Sequence, residues 1–359
     1  MLDWDCFCYY SCQMPAQDIP SQEFVNFPKR KSRLYDNFAL DFIRDPRDLP
    51  FVDLILKITF LVIPYALYLL MHPHLSGWWI LPYYALAGFF LGPYILMLHN
   101  TSHRPFWKNK FDSFNFYIPW VLGPFMGQTP ETYFAHHIGM HHPENNMKDD
   151  LSSTLAYRRD KFSDFLKYFF RILFFSHYDL SKYFLDRKRN KLFTKISIGE
   201  LGFYLMVFML CFWNLKFALL IFVVPVLFTR FMMMNGNWAQ HAFVDSKDPE
   251  NSYKNSITCI NSLYNRRCFN DGYHIEHHLK PSAHWTEMPK NFQENLSTYA
   301  QQDAVVFKHI DYFQIWIYLM LKKYDKLADY FVDLGNNKRS HAEIVEFLKA
   351  RSQHPVLLS

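Results

Sequence analysis

Histidine is frequent in this chain, and most of its histidines lie in short clusters. The sequence has 359 residues and 17 histidines, ten of which fall in four clusters. The first cluster is His99-Asn-Thr-Ser-His103, where a spacing of four residues puts both imidazoles on one face of a helix. Imidazole binds iron, copper, zinc and nickel. The first cluster therefore predicts two ligands for one metal ion.

The other three clusters have similar spacing. They contain, in order, His136, His137, His141 and His142; His241, which follows Asn237 by four residues; and His274, His277 and His278. By helical periodicity, we expect His137 and His141 to share a face, and the last three histidines to share another. Single histidine pairs are often ordinary polar residues, but four such clusters favour a metal site. Because nine or ten imidazoles exceed the ligand set of one ion, the sequence predicts two ions.

Four apolar runs predict the elements that position these clusters, and two of the runs end just before His99 and Asn237. A helix needs about 20 mostly apolar residues to cross a bilayer. The runs cover residues 51–71, 78–98, 196–213 and 217–235, and only short connectors join them in pairs. The predicted fold is an all-α integral membrane protein, with four transmembrane helices in two hairpins and a helical cytosolic cap that carries the metal site.

The distribution of positive charge predicts the orientation in the membrane. All but three of the 38 Lys and Arg residues lie in residues 1–50, 99–195 and 235–359, which share one side of the predicted membrane. The positive-inside rule makes this the cytosolic side, with both termini in the cytosol. The net charge of +5 results from 38 basic and 33 acidic residues. This small excess of positive charge does not favour a nucleic-acid binder.

Three regions follow from this topology. We predict a cytosolic N-terminal tail at residues 1–48, a membrane domain with the metal site at 49–290, and a cytosolic helical region at 291–359.

The histidine pattern resembles that of the membrane fatty acid desaturase and hydroxylase superfamily over about residues 50–290. The matching pieces are His99-x3-His103, His137-x3-His141-His142, Asn237-x3-His241 and His274-x2-His277-His278. The resemblance implies a non-haem di-iron centre with nine histidine ligands and Asn237 bound through a water. Those nine are His99, His103, His137, His141, His142, His241, His274, His277 and His278. His136 would then neighbour the ligands or replace His137.

The resemblance also implies an O2-dependent oxidoreductase that inserts a double bond into an acyl chain of a lipid or of an acyl thioester such as acyl-CoA. Three residues separate His137 from His141, where many desaturases have two and alkane hydroxylases have three. The last cluster begins with His274, where front-end desaturases have glutamine, and this disfavours that class of desaturase. A hydroxylase of fatty acyl, alkane or carotenoid substrates is therefore an alternative. An alternative of another class is a polytopic metal transporter or receptor.

The resemblance implies partners as well as chemistry. Since no His-Pro-Gly-Gly haem motif occurs, we expect electrons from a separate protein, either cytochrome b5 with its reductase or ferredoxin. An endoplasmic reticulum membrane is implied if the source is eukaryotic. Besides His136, the candidates for hydrogen bonding to the ligand imidazoles are Glu144, Asp271 and Glu276, which lie close to the clusters in sequence.

Overall fold

The computed structural model describes residues 30–335 and 338–356. Most of the predicted tail, residues 1–48, lies outside the described residues and stays a prediction. Its described end is attached to the rest of the chain by ion pairs. The Arg30 guanidinium lies 2.6 Å from the Asp36 carboxylate and 2.7 Å from the Asp53 carboxylate.

Three helical segments are long and apolar enough to cross a membrane. They are the first apolar helix (Pro46–Met71), the second apolar helix (Gly77–His103) and the long apolar segment (Asn190–Gln240). The chain is mostly helical, as the sequence predicts. Where the sequence predicts separate spans at 196–213 and 217–235, the structure has one segment that is bent rather than divided by a loop.

Asn214 interrupts the long apolar segment. Its φ of −153° and ψ of 83° are not helical. Its side-chain amide donates to the carbonyl groups of Leu69 and Leu70, at the end of the first apolar helix. Glu200, before this point, and Arg230, after it, form an ion pair with an N–O distance of 2.6 Å. The chain therefore reverses direction between them. The two sides of the bend are called the first arm and the second arm below.

The bend at Asn214 lies beside the connector 72–76 between the first and second apolar helices. The Lys216 ammonium group donates to the carbonyl oxygen of Pro73 at 3.1 Å and also to that of Leu75. The second apolar helix begins at this end of the molecule and finishes in His99 and His103. The second arm likewise runs away from the bend towards His241. The end of the first apolar helix, the start of the second and the bend of the long apolar segment therefore lie together, and the histidine clusters lie at the opposite ends of the second apolar helix and the second arm.

A surface helix at Phe162–Asp186 packs on the long apolar segment. Its buried residues recur every three or four positions, as an amphipathic helix requires. They are Phe165, Tyr168, Phe169, Ile172, Ser176, Leu180, Tyr183 and Phe184. This helix brings Tyr168 next to the second arm, where it contacts Asn237.

The other described helices are short. Before the surface helix they are Asp36–Leu40, Asn109–Phe116, Tyr117–Leu122, Gly123–Phe125, Thr132–His136, His137–His141 and His142–Glu144. After the long apolar segment they are Ser252–Asn255, Leu263–Arg267, His274–Leu279, Met288–Glu294, Leu296–Gln301, Tyr312–Met320, Tyr324–Tyr330 and His341–Ser352.

A two-stranded parallel ladder corrects the all-α prediction. Ile257–Ile260 pairs with Val305–Lys308, and the first strand is buried throughout. Each strand has only four residues, too few to show the alternating pattern that identifies a strand in sequence. The ladder joins the predicted 291–359 region to the 49–290 region. The boundary at residue 290 stays a prediction.

Candidate metal centre

The first histidine cluster forms the last turn of the second apolar helix. Between its two histidines, the side chains of Asn100, Thr101 and Ser102 donate to carbonyl groups one turn earlier, which satisfies these polar groups within the helix. The helix ends at His103, since Pro105 disfavours a helical conformation in the residue before it. The rings of His99 and His103 lie on the same side, with centroids 5.4 Å apart.

The second cluster lies on a turn that is wider than an α-helix. His137–His141 is a π turn, in which residues five apart rather than four share a face. The Nε2 atoms of His137 and His142 are therefore 3.1 Å apart. His141 points to a different group of histidines. The ring centroids of His137 and His141 are 5.7 Å apart, so the two rings are neighbours that belong to different groups.

The last cluster is divided between two groups in the same way. Within the helix His274–Leu279, His274 and His278 lie one turn apart, and their Nε2 atoms are 3.0 Å apart. His277 points elsewhere, with its Nε2 atom 2.8 Å from that of His99. The three rings are neighbours on this helix, and the helix contributes to both groups.

Nine histidines form two adjacent groups. The five-histidine group comprises His99, His103, His137, His142 and His277. The four-histidine group comprises His141, His241, His274 and His278, whose ligand atoms all lie within 4.8 Å of one another. The groups adjoin, since the ring centroids of His141 and His142 are 5.8 Å apart. These are the nine histidines that the sequence singles out.

The spacing of the nitrogen atoms fits metal coordination. In the five-histidine group, the Nε2 atoms of neighbouring rings lie 2.8 to 3.1 Å apart. Two nitrogens bound to one ion at about 2.1 Å and at a right angle to each other are about 3 Å apart. Hydrogen bonds cannot satisfy the whole group, because neutral imidazole has one donor and one acceptor. The geometry therefore suits a central cation.

Burial keeps these imidazoles in the form that binds metal. It lowers the pKa of His137, His274, His277 and His278 well below the ordinary value, and repulsion from neighbouring histidines lowers the pKa further. Burial likewise lowers the pKa of His241 to about 4. Neutral imidazole has a free lone pair, and protonated imidazole has none. At neutral pH these five imidazoles are therefore uncharged.

One family model covers most of this region. The model described as fatty acid desaturase matches residues 52–309, which is more than half of the chain. The chain belongs to the fatty acid desaturase family. The family implies an oxidoreductase, and its members typically bind two iron ions. No curated protein and no solved structure matched the chain.

In this desaturase-family chain, Asn237 has fixed hydrogen-bond partners. Its amide nitrogen donates to the carbonyl of Ser152 and to the Tyr168 hydroxyl, each at 2.9 Å. Asn237 lies one helical turn before His241 at the end of the second arm. Since both amide hydrogens are used, the carboxamide oxygen is left as the free acceptor.

Two buried carboxylates contact histidines of the desaturase site. Asp271 lies 3.3 Å from Nδ1 of His99, as the sequence suggests. Asp150, which sequence reasoning missed, accepts a hydrogen bond from Nδ1 of His141 at 2.7 Å. Asp150 also lies 3.7 Å from Nε2 of His136. His136 therefore contacts a carboxylate beside the site rather than joining either histidine group.

The other two acidic candidates have different partners. The Glu144 carboxylate accepts from the Tyr183 hydroxyl at 2.5 Å, and the Glu276 carboxylate accepts from the Asn295 amide at 3.1 and 3.2 Å. Their position next to histidines in sequence does not bring these carboxylates to an imidazole. Asn255 is a further residue that the sequence did not suggest. Its backbone oxygen lies 3.0 Å from Nδ1 of His241.

Proposed function

We propose that this protein is a membrane di-iron oxidoreductase that uses O2 and two external electrons to insert a double bond into an acyl chain. The substrate is a lipid acyl chain or an acyl thioester. The observation that carries this proposal is the convergence of nine imidazoles, six of them buried and three half-buried, into two adjacent groups. Family membership supports the oxidoreductase class.

The proposed topology has four membrane spans in two hairpins. The first and second apolar helices form one hairpin, and the two arms of the long apolar segment form the other. Contact between Lys216 and Pro73 supports a position on the same side of the membrane, away from the cytosol, for the turns of both hairpins. A length of 51 residues also supports two crossings, since a single span needs only about 20 residues. The histidine ends and both termini would then face the cytosol, in the endoplasmic reticulum if the source is eukaryotic.

The nine histidines would hold two iron ions, one in each group, and Asn237 would bind through a water. When bound, reduced iron activates O2 for the removal of hydrogen from unactivated C–H bonds, which side chains alone cannot do. The protein would keep bulk water away from the buried imidazoles and would orient His99, His141 and His241 through contacts at Nδ1. Electrons would come from an external donor, cytochrome b5 with its reductase or ferredoxin.

An apolar cavity supports an acyl substrate. It lies between the second apolar helix and the second arm and has a volume of about 320 Å³. Its walls include Ala87, Gly88, Leu91, Val224 and Phe228. Such a lining matches the chemistry of a hydrocarbon chain. Both of these elements also end at the histidine groups, so the same two elements line the cavity and carry ligands of the proposed metal centre.

Two alternatives remain as outcomes of one experiment. A hydroxylase of acyl, alkane or carotenoid substrates would use the same centre and leave oxygen in the product. A metal transporter or receptor would use the histidines for transport or signalling and leave lipids unchanged. The grouping of histidines at the ends of the apolar helices favours an enzyme, since transport sites usually lie near the middle of the bilayer.

Expression with lipid profiling tests the proposal. The wild-type chain and His277→Ala would be expressed in a host with a matching electron donor, and the lipids analysed by mass spectrometry. We expect a product two hydrogens lighter that depends on His277, and two iron ions per purified chain. A product with added oxygen indicates the hydroxylase. Unchanged lipids in both cultures, together with zinc as the only bound metal, would contradict the proposal.

A further inference from the structure

Each histidine group has one buried carboxylate behind it. Asp150 accepts from Nδ1 of His141 in the four-histidine group, and Asp271 faces Nδ1 of His99 in the five-histidine group. Their side chains are 0% and 4% exposed. We propose that Asp150 and Asp271 are positioning residues, one for each metal ion, and that loss of either carboxylate weakens one ion selectively. The inference rests on the proposed di-iron site.

The surroundings of Asp150 fix both of its oxygens. The backbone N–H and hydroxyl of Ser152 each donate to Oδ1 at 2.8 Å, and the backbone N–H of Asn146 donates to Oδ2 at 3.1 Å. Oδ2 also receives Nδ1–H of His141. An imidazole that donates through Nδ1 keeps the lone pair of Nε2 free for a metal, and the negative charge raises its basicity. Asp150 therefore sets both the tautomer and the direction of His141.

Asp271 is held in a comparable way from the other side. The Tyr264 hydroxyl donates to Oδ2 at 2.6 Å, and the Gln240 amide donates to the same oxygen at 3.4 Å. Oδ1 is thereby directed to Nδ1 of His99, at 3.3 Å. This distance is longer than the 2.7 Å between Asp150 and His141. We therefore expect the Asp271 contact to contribute less to metal affinity than the Asp150 contact.

The carboxylates are selective partners rather than part of a general acidic environment. Among residues 30–335 and 338–356, no other carboxylate forms a hydrogen bond or ion pair with any of the nine histidines. Nδ1 of His241, in the same group as His141, instead contacts the neutral carbonyl and amide oxygens of Asn255 at 3.0 and 3.2 Å. One charged partner per group is thus a feature of the site.

Glu276 offers a matched control. It lies between His274 and His277 in sequence and is buried like the two aspartates. Its carboxylate nevertheless binds the Asn295 amide rather than an imidazole. The change Glu276→Gln is as conservative as Asp150→Asn and removes a charge in the same part of the molecule. It therefore separates loss of a buried charge from loss of a histidine partner.

Iron binding gives a test that does not depend on turnover. The wild type, Asp150→Asn, Asp271→Asn and Glu276→Gln would be purified in lipid nanodiscs, depleted of metal and titrated with Fe²⁺. Iron per chain would be measured by mass spectrometry and Mössbauer spectroscopy. We expect Asp150→Asn to weaken one of two ions about 10- to 100-fold, Asp271→Asn to weaken the other by a smaller factor, and Glu276→Gln to retain both.

The possible failures can be told apart. If the wild type binds no iron, the proposed function fails. If the wild type binds two ions and Asp150→Asn binds them as tightly as Glu276→Gln does, the positioning role is wrong and the function stands. Should Asp150→Asn not fold, Ser152→Ala serves instead, because it removes one donor to Asp150 and keeps the carboxylate. It should weaken the same ion by a smaller factor, and unchanged affinity would overturn the inference.

Discussion

The guanidinium of Arg230 lies 2.6 Å from the carboxylate of Glu200, and the two residues lie on opposite arms of the long apolar segment. Both side chains are largely buried, and the same carboxylate contacts His177 on the surface helix at 2.9 Å. Charges in apolar surroundings are tolerated when they are paired. The ion pair therefore holds two arms and a third helix in one arrangement.

Removal of Glu200 should destabilise the protein strongly. Glu200→Gln leaves the Arg230 charge buried without its partner, which typically costs about 3 kcal/mol. The double change Glu200→Gln with Arg230→Met removes both charges and should cost less than Glu200→Gln alone. Unfolding in detergent, followed by intrinsic fluorescence, measures both. Glu346→Gln, which breaks an exposed pair with Lys349, should change stability little. If the Glu200→Gln protein were as stable as the Glu346→Gln protein, the expectation would be contradicted.

The Tyr168 hydroxyl should matter for catalysis more than for folding. It accepts from the Asn237 amide at 2.9 Å, so Tyr168→Phe removes one of two contacts that orient this side chain. We expect a loss of about 1 kcal/mol in stability and, since Asn237 is proposed to hold a metal-bound water, turnover about tenfold lower. Product formation and iron content would be measured together.

Tyr183→Phe provides the control on the same surface helix. Its hydroxyl donates to Glu144, whose carboxylate contacts no imidazole, and not to Asn237. Turnover should stay close to that of the wild type. Equal turnover in the two variants would show that the Tyr168 contact does not orient Asn237 for catalysis.

Periodicity predicts contacts within an element better than contacts between elements. The apolar runs and the pairing of His99 with His103 follow from α-helical spacing, and both are present. The π turn at His137–His141 is not visible in residue types, so the sequence does not show that His137 and His141 belong to different groups. The sequence does not indicate Asp150 as a partner of a histidine, because it follows His142 by eight residues. Its contact with His141 depends on a turn whose path only the structure shows.

Gly199 should not tolerate a side chain. A Cβ atom at this position would lie 2.0 Å from the carbonyl oxygen of Pro130, which is backbone and cannot move aside easily. Gly199→Ala should therefore cost about 1–3 kcal/mol or more. Pro130 lies just before the helix Thr132–His136, so the variant should also lower iron content. Unfolding and metal analysis of the purified protein check both expectations.

Gly202 is the matched control for Gly199. It lies one turn further along the same arm, and a Cβ atom there would meet no heavy atom of the described residues within 4 Å. Because alanine favours a helix over glycine by about 1 kcal/mol, Gly202→Ala should be neutral or slightly stabilising. Equal losses at the two positions would show that the approach of Pro130 is not the cause.

The metal-free protein should lose stability as the pH falls below about 6.5, the ordinary pKa of histidine. Burial lowers the pKa of His274, His277 and His278 well below that value in the folded protein. Below it the unfolded chain binds protons that the folded chain does not, so protonation favours unfolding. Each such group contributes up to about 1.4 kcal/mol per pH unit below the unfolded pKa.

The melting temperature of the metal-free protein should therefore decrease from about pH 7.5 to about pH 5.5. Bound iron should reduce the decrease, since a metal-bound imidazole resists protonation. His278→Asn should lessen the pH dependence of the metal-free protein, because it removes one of the groups that the unfolded chain protonates. His341→Gln changes a half-exposed histidine outside both groups and should leave the dependence unchanged. A melting temperature that is independent of pH in the metal-free wild type would show that the folded protein does not keep these imidazoles neutral.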